Sequence, residues 1–245
     1  MKKKNKINYR ENFGKLNLGK KNLSWLKKEI VSKKKYFQNE NFKIRYNFKN
    51  IKKFNKFKTV VVLGMGGSIL GAEAIYFFLK RKIKKKFIFL NNLDYIKIKK
   101  LKKNYDFKKT LFIIISKSGN TTETIVNTGF FKPFLKKSNT IIIAEDKNNL
   151  LANFAKEKSF KLVKHSSKIG GRYSVFSDVG MLPSYLMGLN PINFKKNIPK
   201  LFNNNVFLKE SIKQIKKIKL KKFKTLIFFN YLPELEDFLF WSQQL

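Results

Sequence analysis

The sequence predicts an α/β protein, an αβα sandwich built on a doubly wound, mainly parallel sheet. Three observations predict it. Short apolar runs alternate with amphipathic stretches from about residue 58 to residue 165. Two of those runs, Val60–Leu63 and Thr110–Ile115, are almost wholly apolar, as strands buried on both faces are. Each is followed by a corner rich in glycine or hydroxyls. In open parallel sheets ligands bind there, outside the carboxyl ends of the strands.

Taken in order, Leu23, Trp25, Leu26 and Ile30 suggest a first helix, with Ser24 as its N-cap. From Asn39 to Lys58 the chain is polar and lysine-rich. Phe42, Ile44, Tyr46 and Phe48 alternate in it, which suggests a short half-buried strand or an extended covering segment. Val60–Leu63 is a strand, Gly64, Gly66 and Gly67 make a sharp turn, and a helix is expected to begin at Ser68. Ile69, Leu70, Ile75, Phe78 and Leu79 lie along that helix. Phe87–Leu90 reads as a strand and Asp94–Lys103 as a helix. Thr110–Ile115 is a strand, and Thr121–Lys137 a helix interrupted near Pro133. Thr140–Ala144 is a strand, Asn148–Lys158 a helix and Phe160–Val163 a short strand. Asn193–Lys222 reads as helix, Thr225–Phe229 as a further strand and Glu234–Leu245 as the start of another helix. No internal repeat is present.

Composition narrows the classes. At 245 residues and 43% hydrophobic content the chain can bury a sizeable core. It has no cysteine, which excludes disulfides, thiolate metal sites and cysteine nucleophiles. The net charge of +40 admits a nucleic-acid binder or a compositional bias of the source. Lysine is spread along the whole chain, Asn, Ile and Phe are abundant, all four have AT-rich codons, and arginine is scarce. Bias is the better reading, and no nucleic-acid partner is expected. The basic start MKKKNKINYR lacks a following apolar segment, and no window approaches eighteen apolar residues. No membrane span is expected, and a cytoplasmic location is.

The first corner suits a phosphate, since a helix N-terminus offers unpaired N–H groups and a partial positive charge. It is neither a dinucleotide fingerprint, which would need glycine at Ile69, nor a P-loop, which would need Lys and Ser/Thr at Ala72 and Glu73. A tight strand–helix turn explains it equally well. The second corner runs Ser116-Lys117-Ser118-Gly119-Asn120-Thr121-Thr122-Glu123-Thr124. Thr121 or Thr122 can cap the following helix, but capping explains only one or two of so many hydroxyls. A phosphate site explains the rest. The third stretch is Gly170-Gly171-Arg172-Tyr173-Ser174-Val175-Phe176-Ser177. Arg172 is the one arginine after Arg81, in a chain that otherwise uses lysine, which points to a permanent charge with a planar fork of donors. A structural ion pair is the alternative. His165 is the sole histidine and reads as incidental rather than catalytic. No His, Asp or Glu cluster has metal-ligand spacing.

Together LGMGGSILG (63–71), SKSGNTTET (116–124), GGRYSVFSDVGMLP (170–183) and FLFWSQQL (238–245) resemble the phosphoglucose isomerase family in order and spacing. The first two indicate only a sugar-isomerase (SIS) domain, whereas the arginine segment and the tail are far more specific. The resemblance covers residues 58–245 and implies an N-terminal helical or extended segment, 1–45, before a first SIS domain, 46–245, that is incomplete at its end. It implies interconversion of glucose 6-phosphate and fructose 6-phosphate through a cis-enediol, with no metal or organic cofactor, in glycolysis and gluconeogenesis, by a homodimer in the full-length form. By position it puts the sugar phosphate on Ser116, Lys117, Ser118 and Thr121. Gly67 and Ser68 then line the sugar site, Arg172 stabilises the enediolate and Gln244 contacts the substrate. The family's tail continues to a glutamate base three positions past Leu245, so the chain alone is expected to be inactive. The alternatives carried are a non-enzymatic SIS module that binds a sugar phosphate, and a charge-driven nucleic-acid binder.

Overall fold

A computed structural model describes residues 24, 28, 44–196, 198–202, 204–220, 225 and 227–245. Five strands form one all-parallel sheet: β1 Thr59–Gly64, β2 Lys86–Leu90, β3 Thr110–Ile115, β4 Thr140–Ala144 and β5 Lys161–Lys164. Their order across the sheet is β2-β1-β3-β4-β5. Every expected strand up to residue 165 is present, and the sheet is doubly wound as expected.

The strands are apolar at consecutive positions because both faces are covered. Val60, Val62, Leu111, Ile113, Ile141 and Ile143 face one core, where they meet helices α1 (Phe48–Lys52), α2 (Leu70–Phe78) and α6 (Asp178–Leu186). Val61, Leu63, Phe112, Ile114 and Ile142 face the other, against α3 (Tyr95–Asn104), α4 (Thr122–Phe131) and α5 (Leu150–Glu157). Alternate residues of one strand thus serve opposite cores, the period-2 geometry of an extended chain. Asp94 caps α3 by accepting from the Lys97 amide at 2.8 Å, and Asn149 caps α5 by accepting from the Ala152 amide at 2.9 Å. Helix α4 ends before Pro133, and a 3-10 turn at Lys132–Phe134 follows.

Of the stretch 39–58, residues 44–47 cover the core without forming a strand, but Phe48–Lys52 is helix α1 and Lys53–Lys56 a 3-10 turn, so neither a strand nor an extended segment continues to Lys58. Tyr46 is buried, with Ile44 and Phe48 packed at its sides, and no strand forms there among the described residues. The segment is held to α6. The Arg45 amide donates to Asp178 Oδ1 at 3.0 Å, and the Tyr46 hydroxyl donates to the Met181 carbonyl at 2.9 Å. Phe42 and most of the first expected helix lie outside the described residues. Ser24, read as its cap, is itself helical.

Two expectations near the end are corrected. The helix expected over Asn193–Lys222 is three: α7 (Pro191–Lys196), α8 (Ile198–Phe202) and α9 (Asn205–Leu220). Pro199 has no N–H to donate, so it is tolerated in the first turn of α8 but not inside one long helix. The strand expected at Thr225–Phe229 is not one. Residues 225 and 227–229 are irregular, and Ile227, Phe228 and Phe229 are exposed. A strand exists only where a neighbour completes its ladder, and none does among the described residues. The expected final helix is present as α10 (Glu236–Gln243), after a 3-10 turn at Pro233–Leu235.

The chain divides into two units, one of residues 1–32 and 200–227 and one of 33–199 and 228–245. The sheet, α10 and every candidate site residue belong to the second.

Phe112 is fully buried, with its ring 5.9 Å from Phe107 and 5.4 Å from Phe131. Phe112→Ala is expected to cost about 3–5 kcal/mol in urea unfolding, from lost transfer energy and the cavity left behind. A loss under about 1 kcal/mol would show that this face of the sheet is not the packed core described.

Candidate active site

The site begins with strand register. Gly64, the last residue of β1, pairs with Ile115, the last of β3. The first and second corners therefore leave the sheet side by side. This is also where the strand order reverses, since the chain runs outward from β1 to β2 on one side and through β3, β4 and β5 on the other. Such a switch point opens a crevice above the sheet.

The first corner is a 3-10 turn over Gly66–Ser68 rather than the start of the helix. Helix α2 begins only at Leu70, and no side chain caps it. Ser68 is thus freed from the capping role that a helix starting there would have given it. The reason for the turn lies in the third corner, a 3-10 turn over Gly171–Tyr173 that packs against it. A Cβ on Gly67 would sit 2.4 Å from the Gly171 carbonyl carbon and 2.5 Å from the Arg172 nitrogen. Only glycine lets these two backbones approach so closely. The Ser174 hydroxyl lies 2.6 Å from the Gly171 carbonyl and 3.2 Å from the Gly67 carbonyl, fastening one turn to the other. Arg172 is carried outward on this turn. Its side chain is exposed and has no hydrogen bond or ion pair with the described residues. The structural ion pair left open as an alternative is not formed there.

Gln244, at the end of α10, closes the same corner. Its amide Nε2 lies 3.0 Å from where a Cβ of Gly66 would be. Its Oε1 is buried with no hydrogen-bond partner among the described residues. An unpaired buried acceptor is costly, and a ligand hydroxyl placed over the corner would satisfy it.

In the second corner the hydroxyls gather on one another. Ser116 Oγ lies 2.8 Å from Thr121 Oγ1 and 3.4 Å from Ser118 Oγ, and Ser118 Oγ lies 3.5 Å from Thr121 Oγ1. Thr121 stands at the N-cap of α4, yet its side chain makes no capping bond. Its hydroxyl is turned to Ser116 instead, so capping accounts for neither residue. Gly119 has φ of +70° and is pressed against Asn149, whose Oδ1 would lie 1.8 Å from any added Cβ. The Leu151 amide donates to the Gly119 carbonyl at 3.1 Å, and the Asn120 side chain accepts from the Leu150 amide at 2.9 Å. The corner is thus pinned by the start of α5.

Lys117 faces the β4–β5 side. Its ammonium donates to the Ser167 carbonyl at 3.0 Å and lies 3.7 Å from Glu145 Oε1. It is not among the hydroxyls' hydrogen-bond partners. His165 is buried, its Nδ1 2.8 Å from the Ser166 carbonyl, and burial lowers its pKa below the ordinary imidazole value. Burial thus favours the neutral ring, whose Nε2 has no hydrogen-bond partner among the described residues. Among the described residues no three His, Asp or Glu side chains converge as metal ligands would.

Three residues were not singled out from the sequence. Ser174 lay inside the arginine segment without a role. Asn149 carried the signal of a polar residue before an apolar helical run, but its contact with Gly119 is long-range. Glu73 entered only as a mismatch to the P-loop. It is a buried carboxylate on α2 that accepts from the Asn91 side-chain amide at 3.1 Å. Burial and the nearby Asp237 carboxylate push its pKa up to about 7.

A family model described as phosphoglucose isomerase matches residues 23–211. A glucose-6-phosphate isomerase of Borreliella afzelii is 32% identical over 243 residues, covering 86% of this chain and 45% of its own. One of Methanocaldococcus jannaschii is 34% identical over 147 residues, covering 59% of this chain and 36% of its own. The fold matches that of a hypothetical protein of Thermus thermophilus with a TM-score of 0.77 at 21% identity, over 90% of this chain and 58% of that one. The chain spans about half the length, or less, of these curated relatives.

Gly67→Ala forces the two turns apart and is expected to cost about 1–3 kcal/mol in thermal or urea unfolding, as overpacking does. Gly129→Ala is the control. Nothing lies within 4 Å of its added Cβ, in mid-helix, so it should be neutral or stabilising by up to about 1 kcal/mol. Equal effects of the two would refute the close approach of the corners.

Proposed function

The chain belongs to the phosphoglucose isomerase family, and from that membership we propose that it provides the sugar-phosphate-binding part of a glucose-6-phosphate isomerase. The reaction interconverts glucose 6-phosphate and fructose 6-phosphate. It moves a proton between neighbouring carbons through a cis-enediol, as a step of glycolysis and gluconeogenesis. The observation that carries the reading is the meeting of the Gly66–Ser68 turn, the Arg172 turn and Gln244 at the switch point beside the hydroxyls of Ser116, Ser118 and Thr121.

Each group has a chemical task. The hydroxyls of Ser116, Ser118 and Thr121 can donate to phosphate oxygens, and their satisfaction of one another keeps the corner assembled without ligand. Lys117 adds positive charge, at the cost of its contacts with Glu145 and Ser167. The anchored phosphate fixes the sugar, so that binding energy from the non-reacting end orients the reacting one. Gly67 and Ser68 line the sugar, and the absence of a Cβ at Gly67 lets the arginine turn close against them. Arg172, held out on a rigid turn with its guanidinium unengaged, stabilises the oxyanion of the enediolate. The Gln244 Oε1 accepts a sugar hydroxyl. The proton is carried by a carboxylate base, which the family's pattern places beyond Leu245.

Residues 46–245 then act as a first SIS domain following the segment 1–45, in the cytoplasm and in a homodimeric assembly. The non-enzymatic sugar-phosphate module differs in one measurable respect, since it needs no further chain to fulfil its role.

The test is binding of fructose 6-phosphate by calorimetry. The double substitution Ser116→Ala/Thr121→Ala should weaken it by about tenfold to a hundredfold, as loss of two hydrogen bonds to an anion does. Arg172→Ala should leave ground-state binding less affected, because its task lies in the transition state. Unchanged affinity in the double variant would place the phosphate elsewhere.

A further inference from the structure

Glu73 lies outside the roles given above, yet it is a buried carboxylate close in sequence to the glycine corner. It sits on α2, the helix that follows the glycine corner, and α10 packs along that helix. Two meetings along these helices and the turns that adjoin them bear on the site. At one, Gln244 lies on Gly66. At the other, Asp237 of α10 is close enough to Glu73 for its charge to be felt. Gly66 and Glu73 are seven residues apart, and so are Asp237 and Gln244. Seven residues are two helical turns, so Asp237 and Gln244 project from the same face of α10. Whatever happens between Glu73 and Asp237 therefore acts on the seating of Gln244.

We propose that Glu73 is a positioning residue for Gln244, seating α10 against α2 when its carboxyl is neutral and loosening it when ionised. The inference rests on the sugar-phosphate reading only in taking Gln244 as a ligand contact. The groups around Glu73 can be named on every side. The Asn91 side-chain amide donates to its Oε2 at 3.1 Å. Lys97 of α3 favours the ionised form, but its ammonium is also engaged by the Phe89 carbonyl at 3.0 Å. On α10, Asp237 opposes ionisation, and Glu236 adjoins it. In the turn before α10, Glu234 is paired with Arg81 at 2.9 Å. Burial is the largest influence, and with Asp237 it outweighs Lys97 and Asn91, leaving the carboxyl with a pKa of about 7. Of the two acids Glu73 is the more deeply buried, so it is the one that keeps its proton.

The sign follows from linkage. The pKa is higher in the seated state than in water, so seating is strongest below about pH 4.5. It weakens as pH rises toward about 7, and is constant above that.

The experiment uses the full 245-residue chain carrying Trp25→Phe, which leaves Trp241 of α10 as the sole tryptophan. Trp241 fluorescence and fructose 6-phosphate affinity are followed from pH 5 to pH 8. In this background the fluorescence should titrate with a midpoint near 7, and Glu73→Gln should flatten it in the seated form. At pH 8 the Gln variant should bind the sugar phosphate at least about tenfold more tightly than the background, since each pKa unit of coupling is tenfold and the shift from 4.5 to about 7 exceeds one, and at pH 5 the difference should be much smaller. The ligand's own phosphate titrates near pH 6 but does so in both proteins, so their difference isolates Glu73. Asp237→Asn should move the fluorescence midpoint to lower pH, and it decides the matter if Glu73→Gln does not fold. An unchanged midpoint in Asp237→Asn, or a Glu73→Gln protein that titrates like its background, overturns the proposal. Absence of sugar-phosphate binding at every pH in both proteins would instead sink the functional reading, and the Trp241 titration would still decide the role of Glu73.

Discussion

The site depends on β1 and β3 lying side by side in parallel register, with Gly64 opposite Ile115. Both strands are buried on both faces, so neither can slide by a residue without turning its aliphatic side chains into the wrong core. That rigidity fixes the starting points of two corners from distant parts of the chain. The reversal of strand order at β1 then leaves space above them. A crevice at that place is a general consequence of doubly wound topology, and the two corners stand where it is expected.

Within the crevice the decisive contacts are made by what glycine lacks. Gly67 admits the Gly171–Arg172 peptide, and Gly119, at positive φ, admits Asn149. Each contact ties a corner to an element that follows much later in the chain, the first to the arginine turn and the second to the start of α5. Hydroxyls complete the fastening, with Ser174 between two carbonyls and Ser116 against Thr121. The result is a set of polar groups whose backbone is held from several sides while Arg172 and the Gln244 oxygen stay unengaged by the described residues. The backbone around these two groups is held while the groups themselves are not spent on the fold, which is what preorganisation requires.

The charge of the chain has a separate logic. Lysine is spread over the whole sequence, and the site itself carries few lysines. Lys117 is occupied by Glu145 and the Ser167 carbonyl. Specific placement falls to Arg172, which matches the distinction between a diffuse field and a fixed, planar set of donors.

The sequence by itself determined the sheet and its covering helices. Val60–Leu63, Thr110–Ile115 and Thr140–Ala144 are apolar at nearly every position, and that pattern has few outlets other than a doubly covered parallel strand. It also located three corners and the family. What it misjudged were features set by contacts far away in sequence. Thr225–Phe229 has strand composition but lacks a partner among the described residues, and β propensity without a ladder does not make a strand. Ser68 reads as a helix starter by local rule, yet it lies in a 3-10 turn packed on the arginine turn, and Thr121 does stand at the N-cap but turns its hydroxyl to Ser116 instead of capping. The closeness of Gly67 to Arg172, of Gly66 to Gln244 and of Glu73 to Asp237 was decided only by the tertiary structure. Periodicity reports which face of an element is buried, whereas a meeting between elements a hundred residues apart depends on how the whole sheet is wound.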